Sequence, residues 1–454
     1  MDLQSLIKKY DIPVPRYTSY PTVPYWDVEG FDRGEWWNAV KKCFVESNET
    51  KGISLYVHLP FCESLCTYCA CNTRITKNHK VERGYIDGVL NEWNMYLERF
   101  PRTPLIREIH LGGGTPTFFS PENLGILMEG LMKKAEHFPA FEFSFEGHPN
   151  NTSREHLQVL YDHGFRRVSF GVQDLNEKVQ RAINRIQPFE NLKRVVEQSR
   201  AIGYNSVSFD LIYGLPYQTL ESVHDTISQV ISLRPDRIAF YSYAHVPWIK
   251  PGQRGYEDAD LPSDVVKRSL YEAGRALFHE AGYVDIGMDH FATKEDSMTV
   301  AMHDGRLHRN FMGYTTNQTD LLIGLGTSSI SDARYAYAQN EKKSETYLAA
   351  IAAGELALVK GHIQTQEDRD IRRAILGVAC KGKVPINLLT NVSDADTDAE
   401  LRKLAGDGLI ILDEEGLKVT ALGHPFIRNI CRALDKRVRK PVSNATNPVF
   451  SKAI

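Results

Sequence analysis

Four cysteines fall within ten residues of one another, as Cys62-x-x-x-Cys66-x-x-Cys69-x-Cys71. Thiolates are the usual ligands of iron–sulfur clusters, and a loop with this spacing can fold three of them around one cubane. Three ligands for four irons leave one iron open to a group that is not protein. The candidate ligands are therefore three of these cysteines. A zinc site would prefer separated Cys-x-x-Cys pairs or paired histidines, and nothing of that kind is placed to complete one. The Cys-x-x-Cys pair at Cys66 and Cys69 has redox spacing but lies inside the longer motif. Clustering in a chain long enough to bury a large core favours a metal site over disulfides. Cys43, Cys380 and Cys431 stand alone and read as small buried hydrophobes.

A second candidate is Gly112-Gly113-Gly114-Thr115-Pro116, where missing side chains let the backbone approach a ligand or turn tightly. No Gly-Lys-Ser/Thr follows, so it is not a phosphate-binding P-loop. Glu146, Gln173, Arg185, Asp210 and Ala244 lie at or shortly after predicted strand ends, and Tyr56 lies in the first strand. A carboxylate there can hold ribose-type hydroxyls, and an arginine can pair a carboxylate bidentately. The sequence assigns no catalytic side chain.

These residues need a scaffold, and one is legible from about 53 to 245. Short β-branched or aromatic runs alternate there with amphipathic stretches, the mark of repeated βα units. The predicted strands are 53–59, 106–113, 141–147, 166–172, 206–214 and 237–245, which fit an incomplete parallel barrel. Intervening segments such as ERGYIDGVLNEWNMYLERF and ENLKRVVEQSRAIG repeat apolar residues at three and four positions and would form the outer helices. Chemistry in such folds gathers on loops at the strand carboxyl ends. Residues 1–52 contain RYTSYPT, rich in turn-formers and hydroxyls, and read as an arm on the barrel, with Trp36 and Trp37 as packing residues. Beyond about 365, helices and the acidic hairpin GLIILDEEGLKVT suggest a small helical or winged-helix-like domain. The KRVRK run at 436–440 reads as a solvated face or tail.

Composition excludes little else. The 454 residues carry a formal net charge of −3 and a pI near 6.6, so no global basic field favours nucleic acid. The N-terminus has no signal-type apolar core and no segment approaches a membrane span, so the expectation is a cytoplasmic protein.

The cysteine loop, with Tyr68 directly before the third cysteine, resembles that of the radical S-adenosylmethionine (SAM) superfamily. The resemblance implies a [4Fe-4S] cluster on Cys62, Cys66 and Cys69 whose open iron takes the amino and carboxylate groups of SAM; a fourth ligand would block that iron, so Cys71 is expected not to be one. An electron from the cluster then splits the sulfonium bond to give a 5′-deoxyadenosyl radical. Further along, PRYTSYPT, PFCESLCTYCACN, LGGGTPT, GVQD, FDLIYGLP, YAH, GMDHFA and LHRNFMGYTT together resemble the oxygen-independent coproporphyrinogen oxidases. That family implies an α/β fold: an incomplete parallel (β/α)6 barrel with an N-terminal arm and a small, mostly helical, winged-helix-like C-terminal domain. The expected division is 1–52, 53–364 with a substrate-covering extension, and 365–454. The implied activity converts two propionates of coproporphyrinogen III to vinyl groups, in a monomer that binds a second SAM and uses a low-potential electron donor and an electron acceptor. SAM contacts are implied at Tyr56, Tyr68, Gly113, Gly114, Thr115, Glu146, Gln173, Arg185, Asp210, Ala244 and Ile330.

A substrate with four propionates calls for cationic and hydroxyl donors. The candidates are Arg16, Tyr17, Tyr20, His308 and Arg309, from the two family-specific segments. One departure stands out: Glu146-Gly147-His148-Pro149 replaces Glu-Val-Asp-Pro, and His148 reads as a compensated change behind the ligand contacts. Two alternatives share the cysteine motif, a haem chaperone and a haem-opening radical methyltransferase. Cys71, RYTSYPT and HRNFMGYTT oppose the chaperone.

Overall fold

Successive residues of a strand point to opposite faces, and in the central strands the two faces differ sharply. The structure is a computed structural model that describes residues 3–248, 250–439 and 450. In β1 (Ile53–Leu59), Ile53, Leu55, Val57 and Leu59 are fully buried toward the helices, while Ser54, Tyr56 and His58 point the other way. The same alternation sets Ile109 and Leu111 against His110 in β2 (Leu105–Gly113), and Phe143 and Phe145 against Ser144 and Glu146 in β3 (Glu136–Gly147). It continues in β4 (Phe165–Gln173), β5 (Ser206–Tyr213) and β6 (Arg237–Ser242). One face is thus a continuous apolar core and the other a polar lining.

The six strands pair in sequence order, all parallel, as expected of βα units. Register brings Tyr56 opposite His110, His110 opposite Ser144, Glu146 opposite Ser169, and Gly171 opposite Asp210. The structure adds a seventh parallel strand, Leu322–Leu325, beside β1, and antiparallel strands at both edges complete a sheet of 12 strands. The seventh strand is too short and isolated in sequence to show the alternation. Helices Val81–Leu97 and Phe189–Ile202 stand where amphipathic periodicity predicts them.

The N-terminal segment divides between two cores. Helix Arg33–Lys51 is capped by Asp32, which accepts from Gly34 N at 2.6 Å, and it buries Trp36, Val40 and Phe44 against the main sheet. Trp37 packs against Tyr96 with ring centroids 5.0 Å apart. Leu6, Val14, Tyr17 and Tyr20 instead join a second core with Ile371, Val378, Leu404, Ile430 and Leu434. RYTSYPT is therefore irregular, as read, but it packs into the C-terminal domain as well as the barrel.

That domain contains helices Gln366–Lys381, Ile386–Val392, Ala395–Gly406 and Ile427–Leu434 and a three-stranded antiparallel sheet. The acidic hairpin is present as Ile410–Asp413 paired with Gly416–Val419. The basic run is not a free tail: Lys436 pairs Glu367 at 2.7 Å, Arg437 pairs Asp368 at 2.9 Å and Arg439 pairs Asp394 at 2.9 Å. All three acids lie at helix N-termini, where carboxylates are favoured, so the cations meet a preformed negative surface. Lys440 lies outside the described residues.

The Tyr17 hydroxyl donates to Asp435 at 3.0 Å, and Asp435 is 1% exposed. Tyr17→Phe removes one donor from that buried carboxylate. It is expected to cost about 1–3 kcal/mol in chemical denaturation of the second core; unchanged stability would show that the bond does not hold the arm.

Candidate active site at the strand carboxyl ends

The cysteine loop leaves β1 at Leu59 and is fastened before the first cysteine is reached. Gly114 N donates to Leu59 O at 2.8 Å and Thr115 N to Phe61 O at 3.1 Å. A Cβ on Gly114 would stand 2.5 Å from Pro60 O, and Gly113 has φ +117°. The glycine run therefore serves both close approach and a turn closed to ordinary side chains. Thr115 also reaches the first cysteine of the loop, its Oγ1 3.3 Å from Cys62 Sγ. Cys62 pairs with Ile75 in a short parallel ladder, and Thr76 N donates to Cys62 O at 2.9 Å. Within the loop, Cys69 N donates to Cys66 O at 3.2 Å.

These elements surround a cavity of about 780 Å³. It is lined by Cys62, Cys66, Cys69, Tyr68, Gly113, Gly114, Thr115, Glu146, Gln173, Arg185, Asp210 and Ala244, and by Cys71, His148 and Arg16. Residues from all six predicted strand ends thus meet in one space. Tyr56 and Ile330 are not in the lining. Tyr56 lies beneath it, donating to His58 Nδ1 at 3.0 Å, because His58 Nε2 faces Asn72 O at 2.8 Å and must carry the proton. Burial holds His58 below its usual pKa, so it is neutral. Ile330 opens the strand Ile330–Asp332, which is paired on both sides in the antiparallel part of the sheet, and its carbonyl would meet a Cβ on Gly324.

Of the five substrate candidates only Arg16 reaches the cavity. Its guanidinium pairs Asp289 at 2.7 Å and lies 5.5 Å from the Tyr241 ring. Tyr17 and Tyr20 are buried in the second core. His308 is held neutral by burial, which lowers its pKa to about 4. Arg309, 4% exposed, covers the Tyr314 ring at 4.6 Å and donates to Arg16 O at 3.5 Å, while its Nε and Nη1 have no partner among the described residues. Sequence reading missed Tyr241 and Asp289. Tyr241 carried a signal, since it shares the inward alternation of β6 with Ala239. Asp289 carried none, because its partner is 273 residues away.

The electrostatics follow from burying charge among polar partners. Burial raises the Asp210 carboxyl to about 7, with the Glu146 charge adding to it, and Ser169 Oγ donates to it at 3.3 Å. His110 bridges Ser144 at 2.8 Å and Glu146 at 3.4 Å. Burial pushes the Cys62 thiol up to about 11. The Cys71 thiol donates to Cys69, which favours thiolate at Cys69 and thiol at Cys71. Arg185 Nη1 is 3.6 Å from Cys66 Sγ, a cation beside a prospective thiolate. No three His, Cys, Asp or Glu side chains among the described residues are gathered around a single ion. A cubane offers each thiolate its own iron, so three sulfurs spread along one glycine-braced loop fit that group better than one ion.

The Radical SAM superfamily model matches residues 56–230. The oxygen-independent coproporphyrinogen III oxidase of Escherichia coli K12 is 39% identical, over 96% of this chain and 95% of its own length. That of Pseudomonas aeruginosa is 36% identical over 95% of both. The chain belongs to the oxygen-independent coproporphyrinogen III oxidase family. The solved E. coli coproporphyrinogen III oxidase, a radical SAM enzyme, superposes with a TM-score of 0.89, at 37% identity, over 95% of this chain and 98% of that one. Membership in the oxidase family carries a [4Fe-4S] cluster and SAM with it, and the cysteine loop and cavity fit both.

Two outcomes are expected. Cys71→Ala retains the cluster's visible absorption after anaerobic reconstitution, whereas its loss would make Cys71 a ligand. His148 accepts from Asn150 N at 3.1 Å through Nδ1, and burial, aided by the Arg185 charge, lowers its pKa to about 3. Between about pH 3 and the unfolded value of about 6.5 the unfolded chain binds the extra proton, so this residue erodes stability as pH falls through that window. In nitrogen-15 spectra its ring should not titrate between pH 5 and 8; a midpoint near 6.5 would refute the assignment.

Proposed function

We propose that this chain carries out the oxygen-independent oxidative decarboxylation of two propionates of coproporphyrinogen III, giving protoporphyrinogen IX. The observation that carries the proposal is the convergence on one cavity of a three-cysteine loop, a glycine turn and an arginine, Arg16, contributed by the arm. Cys62, Cys66 and Cys69 hold the cluster, and Glu146, Gln173, Arg185 and Asp210 surround SAM. When bound, these groups supply a 5′-deoxyadenosyl radical able to take hydrogen from a propionate β-carbon. The protein's part is to orient and to shield. Asp210 and Gln173 offer acceptors and donors suited to ribose hydroxyls, and the Arg185 fork suits a carboxylate. Arg16 stands at the cavity edge with its charge balanced by Asp289, placed to exchange that partner for a substrate propionate.

Several finer features belong to the same proposal. The site would also take a second SAM beside the first, and the reaction would draw on a low-potential electron donor and an external electron acceptor. The chain acts as a monomer in the cytoplasm, and among the described residues no helix is long and apolar enough to cross a membrane. The haem chaperone and the haem-opening methyltransferase are not favoured, since relatives 36–39% identical over 95–96% of the chain are named as the oxidase.

The test is an anaerobic incubation of reconstituted protein with SAM, a reductant, an electron acceptor and coproporphyrinogen III, with porphyrins resolved after oxidation. Time-dependent protoporphyrin together with 5′-deoxyadenosine supports the oxidase. An intact cluster with no porphyrin product and tight haem binding would support the chaperone instead. Arg16→Ala should raise KM with a smaller effect on kcat, by the equivalent of about 1.5–3 kcal/mol for one charge-assisted contact.

A further inference from the structure

Residues 182–187, between β4 and the helix Phe189–Ile202, grip the cysteine loop at four points. Thr67 donates twice, from N to Ile183 O at 3.0 Å and from Oγ1 to Ala182 O at 3.2 Å. Asn184 Nδ2 donates to Leu65 O at 2.7 Å, from a residue at φ +52°, where asparagine is tolerated. Arg185 Nη1 stands 3.6 Å from Cys66 Sγ. The residues on either side of Cys66 are therefore held by the same short segment that presents Arg185 to the cavity.

Arg185 is itself held. Its Nη2 donates to Gly171 O at 2.6 Å and its Nε to Gln187 Oε1 at 3.2 Å. Gln187 is 1% exposed, which is tolerable for an amide only if its hydrogen bonds are met. They are: Nε2 donates to Val172 O at 2.6 Å and to Gly171 O at 3.3 Å. Its backbone N donates to Gln180 Oε1 at 3.0 Å, and Gln180 Nε2 returns a bond to Gln187 O at 3.1 Å. A side chain bonded this fully to the last residues of β4 fixes the guanidinium relative to the sheet.

We propose that Gln187 is a positioning residue. By fixing Arg185 against both the end of β4 and Cys66, it links the grip on the cysteine loop to binding of the anionic end of SAM. The proposal rests on the assignment of SAM to this cavity. Partners that orient ligand-bearing side chains commonly change affinity by about 10–100-fold when removed. Coupling of this kind is reciprocal, so SAM must also steady the loop that holds the cluster.

The experiment uses full-length, anaerobically reconstituted protein and SAM itself as the probe. Three quantities are read: iron content, the SAM-induced change in the electron paramagnetic resonance spectrum of the reduced cluster, and the rate of cluster loss to a chelator with and without SAM. Gln187→Leu is expected to keep its iron, to weaken SAM binding by about tenfold or more, and to lose most of the protection that SAM gives against chelation. Asn184→Gly, at an exposed position whose backbone glycine accepts, is expected to speed cluster loss while SAM still protects. A folded Gln187→Leu with wild-type SAM affinity and wild-type protection would overturn the proposal. Should that variant fail to fold, Asn184→Gly decides: cluster loss at the wild-type rate means the segment does not grip the loop. If SAM leaves the wild-type spectrum unchanged, the assignment of the cavity fails rather than the role of Gln187.

Discussion

The site depends on one steric constraint, the absence of a side chain at Gly114. Its amide reaches Leu59 O at 2.8 Å and its Cα faces Pro60 so closely that no Cβ fits. That contact joins the exit of β1 to the exit of β2 and so sets where the cysteine loop begins. Thr115 can then meet Cys62, and the later hydrogen bonds from Thr67 N to Ile183 O and from Asn184 to Leu65 O only complete a path whose start is already fixed. A loop with three prospective metal ligands cannot rely on its own hydrophobic contacts, so its order is imported from the strands beside it.

The second constraint is the two-faced sheet. Apolar residues on the helix side supply the cohesion, which frees the other face to carry Ser54, Tyr56, Glu108, His110, Ser144, Glu146, Ser169 and Asp210. Polar groups in a confined space are costly unless each finds a partner, and here strand register supplies them. Tyr56 meets His58, His110 meets Ser144 and Ser169 meets Asp210. The result is a cavity wall already hydrogen-bonded to itself, with Glu146 and Asp210 in its lining.

Features governed by local chemistry were legible in the sequence. Alternation gave six of the seven parallel strands, the spacing of Cys62, Cys66 and Cys69 gave the loop, and the acidic hairpin near 413 was recognisable from its turn. Strand-end residues such as Glu146 and Asp210 could be named because the fold rule says where chemistry gathers. What escaped depends on contacts distant in sequence. The pairing of Arg16 with Asp289, the seating of Tyr17 and Tyr20 among C-terminal helices, and the capture of the 436–439 cations by helix-end acids leave no local pattern. Gln187 escaped for another reason: a buried glutamine and a surface one look alike until their neighbours are known.

The second core joins residues 6–20 to residues 286–314 and 371–434, segments hundreds of residues further along the chain. Contacts of such separation form late, since the loop they close must first exist. The main core of the barrel ends at Leu358, whereas the core that seats the arm draws on residues 286–314 and on the helices between Ile371 and Leu434. Arg16 sits in that arm, immediately before Tyr17. The edge of the cavity that Arg16 supplies is therefore set by long-range contacts, apart from the parallel sheet that carries the cysteine loop.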